Sequence, residues 1–180
     1  SLRRLLSRSW LEFHEHGVPR ADFALLEAHR GGLVALSGGV QGIIEAAVAE
    51  GKRAAAVELI ERFRSLYGQE FHLAVQPLGT PRQQKINQEF RALNRELGVP
   101  LCATNESFYL RQEEARAHQI LGCIAAGQTL GEYRDAYSGC DEHWFKPSGL
   151  VAEQLGADFD DAIAASAEIG ARCEVSLTLG

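Results

Sequence analysis

The chain has 180 residues, 46% of them hydrophobic and 23% charged, a length that suits one domain or one part of a larger one and a balance that argues against disorder. Its net charge of −6 argues against a broad face for a phosphate backbone, and no apolar run reaches membrane-span length or reads as a signal peptide. The four cysteines, Cys102, Cys123, Cys140 and Cys173, form no CxxC pair and no zinc-finger spacing with histidine. Reduced thiols in a cytoplasmic protein are therefore expected.

The first pattern, Leu2 to about His16, predicts a helix with Leu2, Leu5, Leu6, Trp10 and Phe13 on one side, stopped by Gly17-Val18-Pro19. The chain contains no Met and opens directly in this pattern, so it is read as a segment cut from a longer protein. A short helix over Ala21–His29 follows, with Phe23, Leu25 and Leu26 as core candidates. Leu33-Val34-Ala35-Leu36 is too short for a buried helix and fits a buried strand. Ser37-Gly38-Gly39 then turns into a helix bearing Val40, Ile43, Ile44, Ala47 and Val48. The next helix, from Lys52, carries Ala56, Leu59, Ile60, Phe63 and Leu66.

Phe71 to Gln76 alternates as a strand, Phe71, Leu73 and Val75 on one face and His72, Ala74 and Gln76 on the other. Thr80-Pro81-Arg82-Gln83 is a helix start, with Thr80 as N-cap, Pro81 at the first position and Gln83 completing a capping box. That helix carries Ile86, Phe90, Leu93 and Leu97 and ends at Gly98. Val99 to Ala103 is a third apolar run, ending abruptly in Thr104-Asn105-Glu106-Ser107. Beyond it lies a helix over 112–126 with Ala115, Ile120, Leu121 and Ile124 apolar, then a polar loop to Asp141. An extended piece at His143-Trp144-Phe145 and two helices, one from Pro147-Ser148 and one over Phe159–Cys173, complete the chain.

Strands alternating with helices predict an α/β fold with a parallel sheet of about three strands under many helices, as in a partial barrel lacking its first strands. In such folds ligands sit at the carboxyl ends of the strands. The three ends here are Ser37-Gly38-Gly39, Gln76-Pro77-Leu78-Gly79 and Thr104 to Phe108. A metal site needs several His, Asp, Glu or Cys side chains converging, and these tips supply one, Glu106. The simpler expectation for Glu106 is a hydrogen-bonded or solvated side chain at a sheet edge.

The other candidates have ordinary readings as well. His14 and His16, two apart on a helix, point about 200° from each other and cannot share one ion. Ser37 to Gly42 resembles a phosphate-cradling turn, but it lacks the Lys of a P-loop and the spacing of a dinucleotide fold, so glycines serving a tight turn are the simpler account. His118 reads as a packing residue on its helix. His72 shares a strand face with Gln76, and His143 sits in a loop beside Trp144.

Three blocks occur in order: Leu33-Val-Ala-Leu-Ser-Gly38, Glu70-Phe-His-Leu73 and Pro100-Leu-Cys-Ala-Thr-Asn-Glu-Ser-Phe-Tyr109. After them come Ala117-His118, Leu121-Gly-Cys-Ile124, Gly127 and Glu142-His-Trp-Phe-Lys146. Over nearly its whole length the chain resembles the later part of the polymerase and histidinol phosphatase (PHP) domain of bacterial C-family replicases, the alpha subunits of DNA polymerase III. The resemblance implies a distorted seven-stranded (β/α) barrel whose metal-binding members place a cluster at the strand ends. It also implies that the early ligand motifs lie outside this segment, and that His14 and His16 do not replace them.

In those members a Cys or His follows the Ser-Gly turn, where this chain has Gly39, and Asp-x-His follows Thr-Asn, where it has Glu106 and Phe108. Gly and Phe offer no ligand, so Gly39, Glu106 and Phe108 are expected to form a degenerate site without metal or cofactor. The parent implied is a DNA-directed DNA polymerase using Mg2+, with this segment as scaffold. Its implied partners are the rest of the polymerase chain and a proofreading exonuclease subunit, with DNA reached only through the parent. The rivals are a metal-dependent phosphoesterase or 3'-5' exonuclease, and a free-standing binding module of another protein.

Overall fold

The central strand of the sheet is a run of five residues, Phe71–Val75, buried on both faces. The computed structural model describes residues 2–133 and 140–174. In chain order the helices are α1 (Leu2–Glu12), α2 (Phe23–His29), α3 (Ile43–Ala49), α4 (Arg53–Tyr67), α5 (Pro81–Leu97), α6 (Ala115–Ala126), α7 (Ser148–Leu155) and α8 (Asp160–Arg172). The strands are β1 (Ala35–Leu36), β2 (Phe71–Val75) and β3 (Leu101–Ala103). They form one parallel sheet in the order β1-β2-β3. Ala35 pairs with Phe71 and Leu73 with Leu101, so all three carboxyl ends emerge on one side. The fold class read from the alternation of strands and helices is the one observed.

Sequence patterning accounts for the core. Phe71, Leu73 and Val75 meet Ile44 and Val48 from α3, Ala56 and Ile60 from α4, and Ile86, Phe90 and Leu93 from α5. Phe159 and Ala162 close the cluster beside β3. Ala74 is buried as well, because a parallel strand covered on both faces has no solvent side; the alternation read from 71–76 does not mark an exposed face. The Arg91 guanidinium anchors α8 to α5, donating to Asp161 at 2.8 Å and lying over the Phe159 ring.

The α5 start has the anticipated N-cap and proline, but the Gln83 side chain, expected to complete a capping box, donates instead to Asn87 Oδ1 at 2.9 Å. The Thr80 hydroxyl accepts from the Gln83 backbone N–H at 3.2 Å, with Pro81 at the head of the helix. At the other end Gly98, with φ of 67°, lets its N–H reach the Asn94 carbonyl. Thr80→Ala is expected to cost about 1 kcal/mol, read as a lower urea midpoint at unchanged slope.

Several expectations are corrected. The first helix ends at Glu12, one turn short of His16, because residues 15–18 close a tight turn with paired Glu15 and Val18 backbones. His14 and His16 therefore lie off the helix and are exposed. Leu2, Leu6 and Trp10 stay about half exposed, and Ile43, Leu121 and Ile124, noted as apolar helix positions, are exposed. The reason is common to all of them. A helical apolar stripe states that a face wants cover, while the sheet is already covered by α3, α4, α5 and α8. The polar loop read over 127–141 lies partly outside the described residues. Among the described residues, no helix is long and apolar enough to cross a membrane.

Candidate functional site at the strand ends

Parallel register delivers Ser37, Gln76 and Thr104 to the same edge of the sheet, and the loops after them meet there. Gly39 sits where those loops close. A Cβ placed on it would stand 2.8 Å from Glu106 Oε1 and 3.2 Å from Gln76 Nε2. Its φ of 65° lies in the left-handed region, which favours glycine. The structure thus brings Gly39 and Glu106 together, and it seats the Glu106 carboxylate in the space a side chain at position 39 would need. Glu106 is half-buried, and its Oε2 is sealed without a protein hydrogen-bond partner.

Phe108 belongs to a neighbouring strip. Its N–H donates to the His143 carbonyl at 2.8 Å, and the Phe145 N–H donates to the Tyr109 carbonyl at 2.9 Å. Residues 108–110 and 143–145 therefore run side by side, with Tyr109 and Trp144 bridged. The Phe108 ring stacks on His118, with centroids 5.2 Å apart and planes 3° from parallel, and it also meets the His143 ring at 5.2 Å. His118 is accordingly a packing residue, held by aromatic contact. Asn105 joins the same strip, its Nδ2 donating to the Trp144 carbonyl at 2.7 Å.

Two buried polar groups lock this arrangement. Lys146, with no exposed side-chain surface, donates to the Pro77 carbonyl at 2.8 Å and pairs with Glu142 at 2.6 Å. Asn87 on α5 accepts from the Gln76 backbone N–H and returns a bond to the Gln76 carbonyl at 2.8 Å, with Gln83 supporting it. The loop after β2 is thereby tied to α5 and to the 142–146 segment.

His143 is nearly sealed from water, and its Nδ1 lies 2.9 Å from the Glu106 carbonyl. A carbonyl only accepts, so Nδ1 carries the proton of the neutral ring. Burial pushes the imidazole below its usual range, and nearby His118 and Lys146 push the same way, against the Glu106 carbonyl and carboxylate. His72, buried at the strand start beside Glu70 and Arg172, is lowered too, again first by burial.

Both histidines hold the folded state neutral. On acidification the unfolded chain takes up the proton first, so their contribution is complete above the ordinary imidazole value of 6.5 and is lost as pH falls below it. Melting temperature is expected to decline between pH 7 and 5, and His143→Asn is expected to flatten part of that slope.

The residue that sequence reasoning passed over is Glu45. It is fully buried in the first turn of α3, and its Oε1 accepts the Gly39 N–H at 3.2 Å. Burial pushes its carboxyl above the usual range and the Glu106 charge adds to that, while the Ser37 hydroxyl and backbone N–H groups oppose it. The available signal was one acid inside an otherwise apolar helix, which ordinarily reads as a helix-start residue.

The donor set does not suit a metal cluster. Position 39 has no side chain, position 108 carries a hydrocarbon ring, and Glu106 and Glu45 are the only carboxylates described against Gly39. Among the described residues no three His, Cys, Asp or Glu side chains are gathered as a metal would require.

The family model described as "PHP domain" matches residues 1–77. Similarity to curated proteins extends further. The protein described as DNA polymerase III subunit alpha from Thermus aquaticus is 34% identical over 100% of this chain. Those so described from Caulobacter vibrioides and Deinococcus radiodurans are 31% and 30% identical over 96% and 100% of it. The chain spans about 15% of the length of these relatives. The glycine turn that carries Gly39 lies inside the PHP match, and the Thr104–Phe108 loop that closes over it lies inside the longer similarity. Over its whole length the chain is thus similar to a region of bacterial proteins described as DNA polymerase III subunit alpha, and over residues 1–77 to the PHP domain.

Proposed function

We propose that this chain is a scaffolding PHP segment of a replicative DNA-directed DNA polymerase, without catalysis of its own. One observation carries the reading. The place for a ligand side chain at position 39 is filled by the Glu106 carboxylate and the Gln76 amide. At position 108 the ring is committed to His118 and His143. The framework of the strand ends is thus retained with packing groups where coordinating groups would be.

On this reading the parent polymerase is cytoplasmic and supplies the nucleotidyl transfer with Mg2+, through residues outside this segment. The segment supports the polymerase chain and offers a surface to a proofreading exonuclease subunit. DNA is met through the parent, in keeping with the net charge of −6 here.

The test is metal analysis and a nuclease assay on the intact chain. No stoichiometric zinc or manganese and no chelator-sensitive 3'-5' cleavage are expected. Bound metal at one or more equivalents, with cleavage abolished by EDTA, would establish the phosphoesterase reading instead.

A further inference from the structure

We infer that the end of β1 is organised by an internal carboxyl group: the Ser37–Gly42 turn is folded as a cradle around the side chain of Glu45. Three observations on different residues carry this. Glu45 is 0% exposed, and Gly39 gives it a backbone hydrogen bond at 3.2 Å across six residues of chain. A Cβ on Gly42 would stand 1.9 Å from Glu45 Oε2 and 2.7 Å from its Cδ, the tightest such approach of any glycine among the described residues. A Cβ on Gly38 would stand 2.7 Å from the Gly42 Cα, so the turn also closes on itself.

The backbone angles separate this from ordinary turn chemistry. Gly38 has φ of −79° and Gly42 has φ of −65°, values open to any residue. Neither glycine is needed for conformational freedom; both are needed for space, and at Gly42 the space is taken by the Glu45 carboxyl group. The likeness of this turn to a phosphate cradle therefore has a physical basis. The cradle is built, and the chain's own acid sits in it. Ser37 ties the cradle to the sheet, because its hydroxyl accepts the Ala74 N–H at 2.8 Å while its N–H donates to the His72 carbonyl. Glu45 is in this sense a positioning residue. It holds Gly39 at the point where Glu106 and Gln76 pack over it.

The inference deepens the scaffold reading and is tested separately from it, by a double-mutant cycle between positions 42 and 45 in the intact chain, with hydrogen exchange read at the Gly39 amide. Gly42→Ala is expected to lower the melting temperature by about 4–10 °C, as overpacking does in a domain of this size. In the Glu45→Ala background the further cost of Gly42→Ala is expected to fall below half of that, because the carboxyl group it strikes is gone.

Glu45→Gln keeps an acceptor for the Gly39 N–H and is expected to stay within about 3 °C of the parent chain, with exchange at Gly39 unchanged. Glu45→Ala is expected to speed that exchange about tenfold. An equal cost of Gly42→Ala in both backgrounds would overturn the inference, as would Gly39 protection surviving in Glu45→Ala. Should Gly42→Ala fail to fold, the Gln and Ala variants at position 45 decide the matter by the exchange readout. Metal uptake by the unmodified chain would instead strike at the scaffold reading and leave this coupling standing.

Discussion

Gly39→Cys, which puts a thiol back where metal-binding relatives are expected to have a ligand, is expected to destabilise the fold by about 2–4 kcal/mol. A non-glycine residue at a φ of 65° costs about 1 kcal/mol. The remainder is overpacking, about 1–3 kcal/mol, since the new Cβ would meet Glu106 Oε1 at 2.8 Å and its Cδ at 3.1 Å. The neighbour at fault is a side chain, so the cost is correctable. Glu106→Asp withdraws the carboxylate by one methylene, and the double variant is expected to recover about 1 kcal/mol or more of the loss in urea unfolding. Strict additivity of the two changes would show that Glu106 does not occupy the space.

The same geometry bears on any attempt to rebuild the site. Glu106→Asp with Phe108→His restores two coordinating types but is expected to gain no tight zinc binding, because position 39 still has no side chain, Glu45 is sealed against Gly42 and His143 Nδ1 is held by the Glu106 carbonyl. Submicromolar zinc uptake by that variant, seen by calorimetry, would contradict this.

Lys146→Ala carries the other large effect, an expected loss of about 3–5 kcal/mol. The ammonium group is wholly buried, bonded to the Pro77 carbonyl at 2.8 Å and paired with Glu142 at 2.6 Å. Truncation removes the donor to the Pro77 carbonyl and the cation beside Glu142, which is 21% exposed and keeps the Gln112 and Gln154 amides, and it empties the volume of the stem. Lys146→Met keeps most of that volume, so the difference between Met and Ala separates packing from charge. The effect should persist in 0.5 M salt, since the pair is shielded from solvent and ordinary screening reaches it weakly. A loss below about 1 kcal/mol, the level of an exposed ion pair, would mean that the ammonium group is hydrated in solution.

Legibility in the sequence followed the range of the interaction. The start of α5 was readable because its cap is local: Thr80, Pro81 and the Gln83 backbone N–H meet within one turn, while the Gln83 side chain went to Asn87 rather than back to the cap. β2 and β3 were readable from short apolar runs, and the parallel arrangement from the helices between the strands, whereas the buried strand read over 33–36 is only Ala35–Leu36, with Leu36 exposed. The exposure of α6 was not readable, since the apolar Leu121 and Ile124 show only that a helix is amphipathic, and what covers such a face is not written in the helix itself. At the site, Gly39, Glu106 and Phe108 were singled out through the family resemblance. Their contacts span 67 residues for Gly39 and Glu106 and 35 for Phe108 and His143, beyond the reach of any local pattern.

By itself, the sequence determined the fold class and the core stripes of α4 and α5, because apolar periodicity and caps act between residues a few positions apart. Only the tertiary structure decided what the site at the strand ends contains. It placed Glu106 over Gly39, stacked Phe108 on His118 and closed a glycine turn around Glu45. The physical reason is that a ligand position is identified by residue type, whereas its capacity to bind depends on the space around it. That space is set by side chains brought in from other strands and helices.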